Sequence, residues 1–138
     1  MPGIRAGEPR DLEAIAAIQA ASPEAAQWSA GDYLAYDLRV AEHGGRVAGF
    51  VVARRLAEDE CELLNLVVAR EFRRQGVARE LVESLLEHFH GQMFLEVRAS
   101  NEAAQKFYKY MGFQELNQRP KYYEAPAEPA IVMKFHSC

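Results

Sequence analysis

Residues 61–79 read Cys-Glu-Leu-Leu-Asn-Leu-Val-Val-Ala-Arg-Glu-Phe-Arg-Arg-Gln-Gly-Val-Ala-Arg. From Leu63 to Val68 the single polar residue is Asn65, the pattern of a strand buried on both sides. Asn65 marks either a bulge that spreads the sheet or a polar residue satisfied by backbone. The chain then turns polar and enters a helix that places Val77, Leu81, Val82, Leu85, Leu86 and Phe89 on one face. At such a strand-to-helix junction several backbone N–H groups lack partners, and the helix dipole adds to their positive character. Gly76 lets backbone approach a ligand without a Cβ in the way, and Ala78 is the next smallest choice. Arg73, Arg74 and Arg79 surround the loop with positive charge. The segment suits a phosphate or pyrophosphate. It lacks both the Lys-Ser/Thr ending of a P-loop and the G-x-G-x-x-G of a dinucleotide site. Taken alone it also reads as a solvated Arg-rich loop.

Upstream, Ile4-Arg5 predicts a short strand. Pro9 and Asp11 open a helix carrying Leu12, Ile15, Ala16 and Ile18, which stops near Ser22-Pro23. Ser29 and Asp32 resemble a capping box, predicting a second helix with Tyr33, Leu34 and Leu38. Val40–Glu42, the turn His43-Gly44-Gly45 and Val47–Arg55 read as a hairpin, and Cys61–Val68 as the next strand of the meander. Downstream come a strand over Met93–Val97, a helix capped by Ser100 or Asn101 and stopped at Gly112, and strands Phe113–Leu116 and Ile131–Phe135. A Pro- and Tyr-rich loop joins the last two. The order β-α-α-β-β-β-α-β-α-β-β predicts an α+β fold in α/β/α layers, a mixed sheet with helices on both faces. With no repeat or low-complexity segment, residues 1–138 read as one domain.

A second informative segment is Leu95-Glu96-Val97-Arg98-Ala99-Ser100-Asn101, followed by Phe107-Tyr108-Lys109-Tyr110-Met111-Gly112-Phe113. Together with Arg73–Arg79, with Arg119-Pro120-Lys121-Tyr122-Tyr123 and Ala130-Ile131-Val132-Met133, and with Trp28-Ser29, it resembles the GNAT (Gcn5-related) N-acetyltransferase family. Within that family it is most similar to the RimI-like subgroup, which acetylates the N-terminal alanine of a ribosomal protein. The resemblance implies the acyl-CoA N-acyltransferase fold, with a mostly antiparallel sheet of six to seven strands, and acetyl-CoA as co-substrate. It implies that backbone of Leu66, Val67 and Val68 meets the acyl and pantetheine end. Arg73, Arg74, Gln75, Gly76, Val77, Ala78 and Arg79 would hold the pyrophosphate, and Asn101 a further part of CoA. It assigns Glu96 as general base and Tyr108 as the acid that protonates the CoA thiolate, with Trp28, Tyr122 and Tyr123 at the acceptor. It also implies a V-shaped opening between parallel strands ending near Val68 and Val97.

The chemistry accommodates these roles. An α-amine with a pKa of roughly 7.7–8.0 is mostly charged near neutrality and must lose a proton before attack. Direct transfer needs no covalent enzyme intermediate, so no Ser-His-Asp set is required. Each residue has a plainer reading too: Glu96 as an ion pair with Arg98, Tyr108 as an aromatic core residue, Asn101 as a helix cap alone.

Composition narrows the classes. Among 138 residues, 16 Lys+Arg against 20 Asp+Glu give a formal net charge of −4. This is unpromising for non-specific nucleic-acid binding, though compatible with a basic protein partner. Cys61 and Cys138 have neither metal-ligand spacing nor the density of a secreted scaffold, and His88 and His90 lie on different helix faces, so no metal is expected. The absence of a long apolar run or signal-peptide pattern predicts a cytoplasmic protein without a membrane span. A protein N-terminus, a ribosomal protein first among candidates, is the expected acceptor, and a monomer or weak homodimer the expected state. Two rivals stay open: an acetyltransferase for small amines, and a non-catalytic CoA-binding module. Three departures bear on the acceptor: Pro129 in place of an Asp before Ala130, Ala78 in place of a second glycine, and little likeness before Leu56.

Overall fold

The computed structural model describes residues 3–87, 89–124 and 127–137, and for 121–124, 127 and 137 backbone only. Its strands are β1 (Gly3–Ala6), β2 (Asp37–His43), β3 (Arg46–Ala57), β4 (Glu60–Val68), β5 (Gly91–Arg98), β6 (Gln114–Glu124) and β7 (Ala127–Ser137). They form one sheet in the order β1-β2-β3-β4-β5-β7-β6. Every neighbouring pair is antiparallel except β4–β5. Gly44 and Gly45, with φ of 55° and 79°, make the tight β2–β3 turn, whose twist requires positive φ at both central residues.

Helix α1 (Leu12–Ala20) covers one face of the sheet, and α2 (Val77–Leu86) with α3 (Glu102–Tyr110) the other. Alternation along β3 supplies both cores: Phe50 and Val52 meet Ile15, Ile18 and Tyr33, while Val51 and Ala53 meet Leu81, Val82 and Leu85. The expected α/β/α layering is what the chain adopts. Two local expectations are corrected. The predicted second helix is a 3-10 turn over Ala30–Ala35 with no Ser29 side-chain cap, and Leu38 lies in β2. Leu38 and Val40 recur with period two and pair with β3, and that ladder prevails over a weak helical signal. The Pro- and Tyr-rich loop is instead strand: β6 and β7 run on to Glu124 and from Ala127. Pro120 is tolerated because β6 is the sheet's edge, and the register skips between Arg119 and Tyr123.

Two features of the central strands position the site. Val52 pairs with Asn65 and Ala53 with Leu63, so Leu64 is an extra, bulged residue. The bulge reverses the alternation of β4. Cys61 and Leu63 before it, and Leu66 and Val68 after it, pack with α2, whereas Asn65 and Val67 face α1. The second feature is brief parallel pairing: β4 and β5 join only over Glu60–Glu62 and Gln92–Phe94. Beyond that they run on to Val68 and Arg98 without pairing to one another, leaving a wedge in the sheet.

Candidate active site between the splayed strands

The wedge opens into a cleft of about 530 Å³. Leu66, Val67 and Val68 line it from β4, Arg73, Arg74 and Gly76–Arg79 from the loop and first turn of α2. Asn101, Ala103, Ala104, Phe107 and Tyr108 of α3 close the far wall, with Glu24 and Ala25 at the rim. Helix α2 begins at Val77, and its first helical return bond runs from Glu80 N–H to Gly76 C=O. The N–H groups of Val77, Ala78 and Arg79 therefore have no intrahelical acceptor. Gly76 supplies the left-handed turn at φ 80°, and Arg74 adopts the same region at φ 64°, an uncommon conformation for a residue with a side chain. Unpaired amides, two positive-φ residues and flanking guanidinium groups form a concave anion cradle. These residues fit a pyrophosphate.

The cradle's side chains have distinct partners. Arg73 turns away from it: its guanidinium donates to the Ser22 hydroxyl at 3.0 Å and the Val68 carbonyl at 3.2 Å, and stands 3.7 Å from the Glu24 carboxylate. Gln75 donates to the Glu71 carbonyl at 3.4 Å, and Arg79 pairs loosely with Glu83 at 3.8 Å. On β4, Leu66 N–H donates to Asn65 Oδ1 at 3.1 Å. Thus two backbone groups of the opened strand edge, Leu66 N–H and Val68 C=O, are satisfied by side chains rather than by a neighbouring strand.

Tyr108 lines the cleft, whereas Glu96, on the splayed end of β5, is not among the lining residues. Met93, Leu95 and Val97 of β5 join the core beneath α2, and Tyr108 belongs to the same core, so Glu96 projects from the other face. Its carboxylate accepts from Arg119 of β6 at 2.5 Å and is one-fifth exposed. The plainer reading of Glu96, an ion pair with Arg98, is not the pairing found: Arg98 binds Glu128 at 3.2 Å. Glu128 also accepts from the Ser100 N–H at 2.9 Å and the Ser100 hydroxyl. The Ser100 N–H holds the Glu128 carboxyl below the usual range, and that carboxylate pins the β5–α3 corner to β7. Asn101 then caps α3 by accepting from Ala104 N–H at 3.2 Å while also lining the cleft, so cap and cleft wall are one residue. Tyr108 stacks edge-on with Phe107 and Phe113, and its burial pushes the phenol well above the ordinary tyrosine value. Burial thus favours the neutral phenol.

Trp28 lies outside the cleft lining, 42% exposed, on the loop between α1 and the 3-10 turn, with its ring stacked against Tyr33 at 6.5 Å. The side chains of Tyr122 and Tyr123, and residues His88 and Cys138, lie outside the described residues. Among the described residues no cluster of His, Cys, Asp and Glu could hold a metal, and no helix is long and apolar enough to cross a membrane.

The acetyltransferase (GNAT) family matches residues 10–113, which carry the bulged strand, the cradle, Glu96 and Tyr108. The chain belongs to the GNAT family. Within this family it is 37% identical over 95 residues to the ribosomal protein bS18-alanine N-acetyltransferase of Escherichia coli strain K12. That match covers 64% of this chain and 64% of the relative, so the chain spans under two thirds of the curated relative's length. The crystal structure of the Escherichia coli ribosomal-protein-S18-alanine N-acetyltransferase superposes with a TM-score of 0.85 at 31% identity, covering 100% of this chain and 96% of that one. Ard1 from Thermoplasma volcanium superposes at 0.90 with 27% identity, covering 99% and 98%. The seven-stranded GNAT fold expected from the sequence is thereby shown.

Three partnerships are not legible in the sequence. Arg119 as the Glu96 partner depends on β6 continuing through a Pro- and Tyr-rich stretch whose composition predicts a loop. Arg73 carries a charge at a cradle position, and nothing in its spacing signals that it reaches back to Ser22. Asn65 gave the one usable signal, a polar residue in an apolar strand.

Proposed function

We propose that the chain transfers an acetyl group from acetyl-CoA to the α-amine of a protein N-terminus, in a direct ternary-complex reaction, with a ribosomal protein first among candidate acceptors. The observation that carries this reading is the wedge itself. The splayed end of β5 carries a carboxylate on one face of the sheet, and the cleft on the other face holds a neutral phenol and an anion cradle. The same arrangement lies in the part of the chain matched by the family. The cytoplasm, where such acceptors are made, is the compartment this reading implies.

In this reading the free amides of Val77, Ala78 and Arg79, with Arg74, hold the pyrophosphate, and the edge of Leu66–Val68 aligns the pantetheine arm. Asn101 borders the same ligand. Acetyl-CoA supplies the activated thioester. Glu96 accepts the proton released as the acceptor nitrogen bonds to the acetyl carbon, and the Arg119 guanidinium keeps that carboxylate oriented between proton transfers. The carbon–sulfur bond breaks, and Tyr108 donates its proton to the departing thiolate. The burial that raises the phenol also disfavours a bare thiolate beside it, which favours return of a proton to sulfur. Solvent then returns a proton from Glu96 to Tyr108, and the products are the amide and free CoA. Trp28, Tyr122 and Tyr123 are assigned to the acceptor side.

Incubation with acetyl-CoA and a panel of peptides beginning with Ala, Ser, Met or Lys, an N-blocked Lys peptide and free amines tests this reading. Acetylation at the α-amine of Ala-first peptides supports it. Modification of free amines alone overturns the acceptor, and acetyl-CoA binding without any product overturns the enzyme.

A further inference from the structure

The α1-face of β4 carries a closed polar network that no catalytic role uses. Asn65 is buried, and its Nδ2 lies 2.9 Å from the Ala26 carbonyl, 3.1 Å from Gln19 Oε1 and 3.1 Å from the Tyr33 hydroxyl. Its Oδ1 accepts from Leu66 N–H. The Tyr33 hydroxyl donates to Gln19 Oε1, and Gln19 Nε2 donates to the Trp28 carbonyl. Gln27 Nε2 binds back to the carbonyls of Gln19 and Ser22 at 3.0 Å. Gln19 and Tyr33 are buried as deeply as Asn65. An Asn amide nitrogen has two hydrogens, and here three acceptors converge on it, so one hydrogen is shared and no donor is idle.

This network has a direction. Residues 21–29 form the loop between α1 and the 3-10 turn. It holds Glu24 and Ala25 at the cleft rim and also carries Trp28. Its carbonyls at Ala26 and Trp28 are held from inside by Asn65 and Gln19. The Leu64 bulge turns Asn65 toward α1 while the next residue, Leu66, enters the cleft wall. One side chain thus grips the rim loop with its nitrogen and the cleft-lining strand with its oxygen. Arg73 repeats the link from the cradle, through Ser22 and Glu24.

We propose that Asn65 is a positioning residue that fixes the acceptor-side loop 21–29 to the strand lining the acetyl-CoA cleft, and so sets affinity for the acceptor peptide. The assignment of that loop to the acceptor rests on the function proposed above. Asn65→Asp keeps shape but replaces the donor by an acceptor facing Gln19 Oε1 and the Ala26 carbonyl, neither of which can donate, so the loop detaches from β4.

Trp28 is the only tryptophan and reports the loop without any need for turnover. In Asn65→Asp, acrylamide quenching of its emission rises and the emission shifts to the red. The KM for an Ala-first peptide rises roughly ten-fold or more, the size expected for a lost buried hydrogen bond. The Kd for acetyl-CoA rises several-fold less than that KM, because the cradle amides are untouched and Asp keeps the oxygen that accepts from Leu66 N–H. Tyr33→Phe removes one hydroxyl without altering the core and shifts both readouts the same way by less. It decides the matter if Asn65→Asp does not fold. Unchanged Trp28 quenching overturns the anchor. Parallel losses of peptide and acetyl-CoA affinity overturn the acceptor-side assignment. A wild-type protein that acetylates no peptide, yet shows the quenching difference, overturns the proposed function and leaves the anchor standing.

Discussion

Tyr108 and Asp11 contribute to stability at opposite ends of the pH range, each through its own surroundings. Burial raises the Tyr108 phenol, so the folded protein keeps it neutral where an unfolded tyrosine ionises, at about pH 10. Its contribution to stability is therefore complete below that pH and is lost as pH rises above it. Thermal unfolding of Tyr108→Phe should lose less stability between neutral and strongly alkaline pH than wild type does. Asp11 is buried, accepts both guanidinium nitrogens of Arg5 at 2.9 Å and receives the Glu8 N–H at 2.8 Å, and Arg5 holds its carboxyl below the usual range. The sign is reversed: stability is present above about pH 4, the unfolded carboxyl value, and is lost as pH falls. Asp11→Asn should flatten the acid limb of stability while lowering stability at neutral pH. At this scale the sequence disclosed residue types better than partners. Glu96 was legible as a carboxylate at a strand end, but its partner, Arg119, lies 23 residues away on a neighbouring element, beyond the reach of local spacing.

The cradle makes two glycine-dependent predictions of opposite sign at the level of the element. Gly76→Ala places a side chain at φ 80° and should destabilise the protein by about 1 kcal/mol while weakening acetyl-CoA. Arg74→Gly relieves the same kind of backbone cost at φ 64°, so stability should hold or rise by up to about 1 kcal/mol even as acetyl-CoA binding weakens. Titration calorimetry beside thermal melts separates the two effects. A sterner case is Gly91, at φ 144°, where an added Cβ would stand 2.2 Å from the Asp59 carbonyl oxygen. Gly91→Ala should disturb the short β4–β5 pairing on which the wedge depends, and its melting temperature should fall more than that of Gly76→Ala. The periodic elements were legible because α2 and the β2–β3 hairpin each satisfy their period locally. The 3-10 turn at Ala30–Ala35 and the long β6–β7 ribbon were not, because pairing across the sheet decides them and the prolines point the other way.

Across the whole molecule, a net charge of −4 accompanies a cleft whose own loop is basic, so local and global fields differ in sign. The acidic exterior attracts a basic acceptor over roughly a Debye length, about 10 Å at 0.1 M salt. Added salt should therefore lower kcat/KM for a basic acceptor protein more than for a short neutral peptide, with kcat for the peptide little changed.

The central claim is that Glu96 and Tyr108 act from opposite faces of one opened sheet. The most direct measurement is mass-spectrometric quantification of α-amine acetylation on an Ala-first peptide by wild type, Glu96→Gln and Tyr108→Phe, each first shown to bind acetyl-CoA. Acetylation by wild type, with both variants slowed by roughly 10²-fold or more at retained binding, is the predicted result. Undiminished turnover in either variant would contradict it.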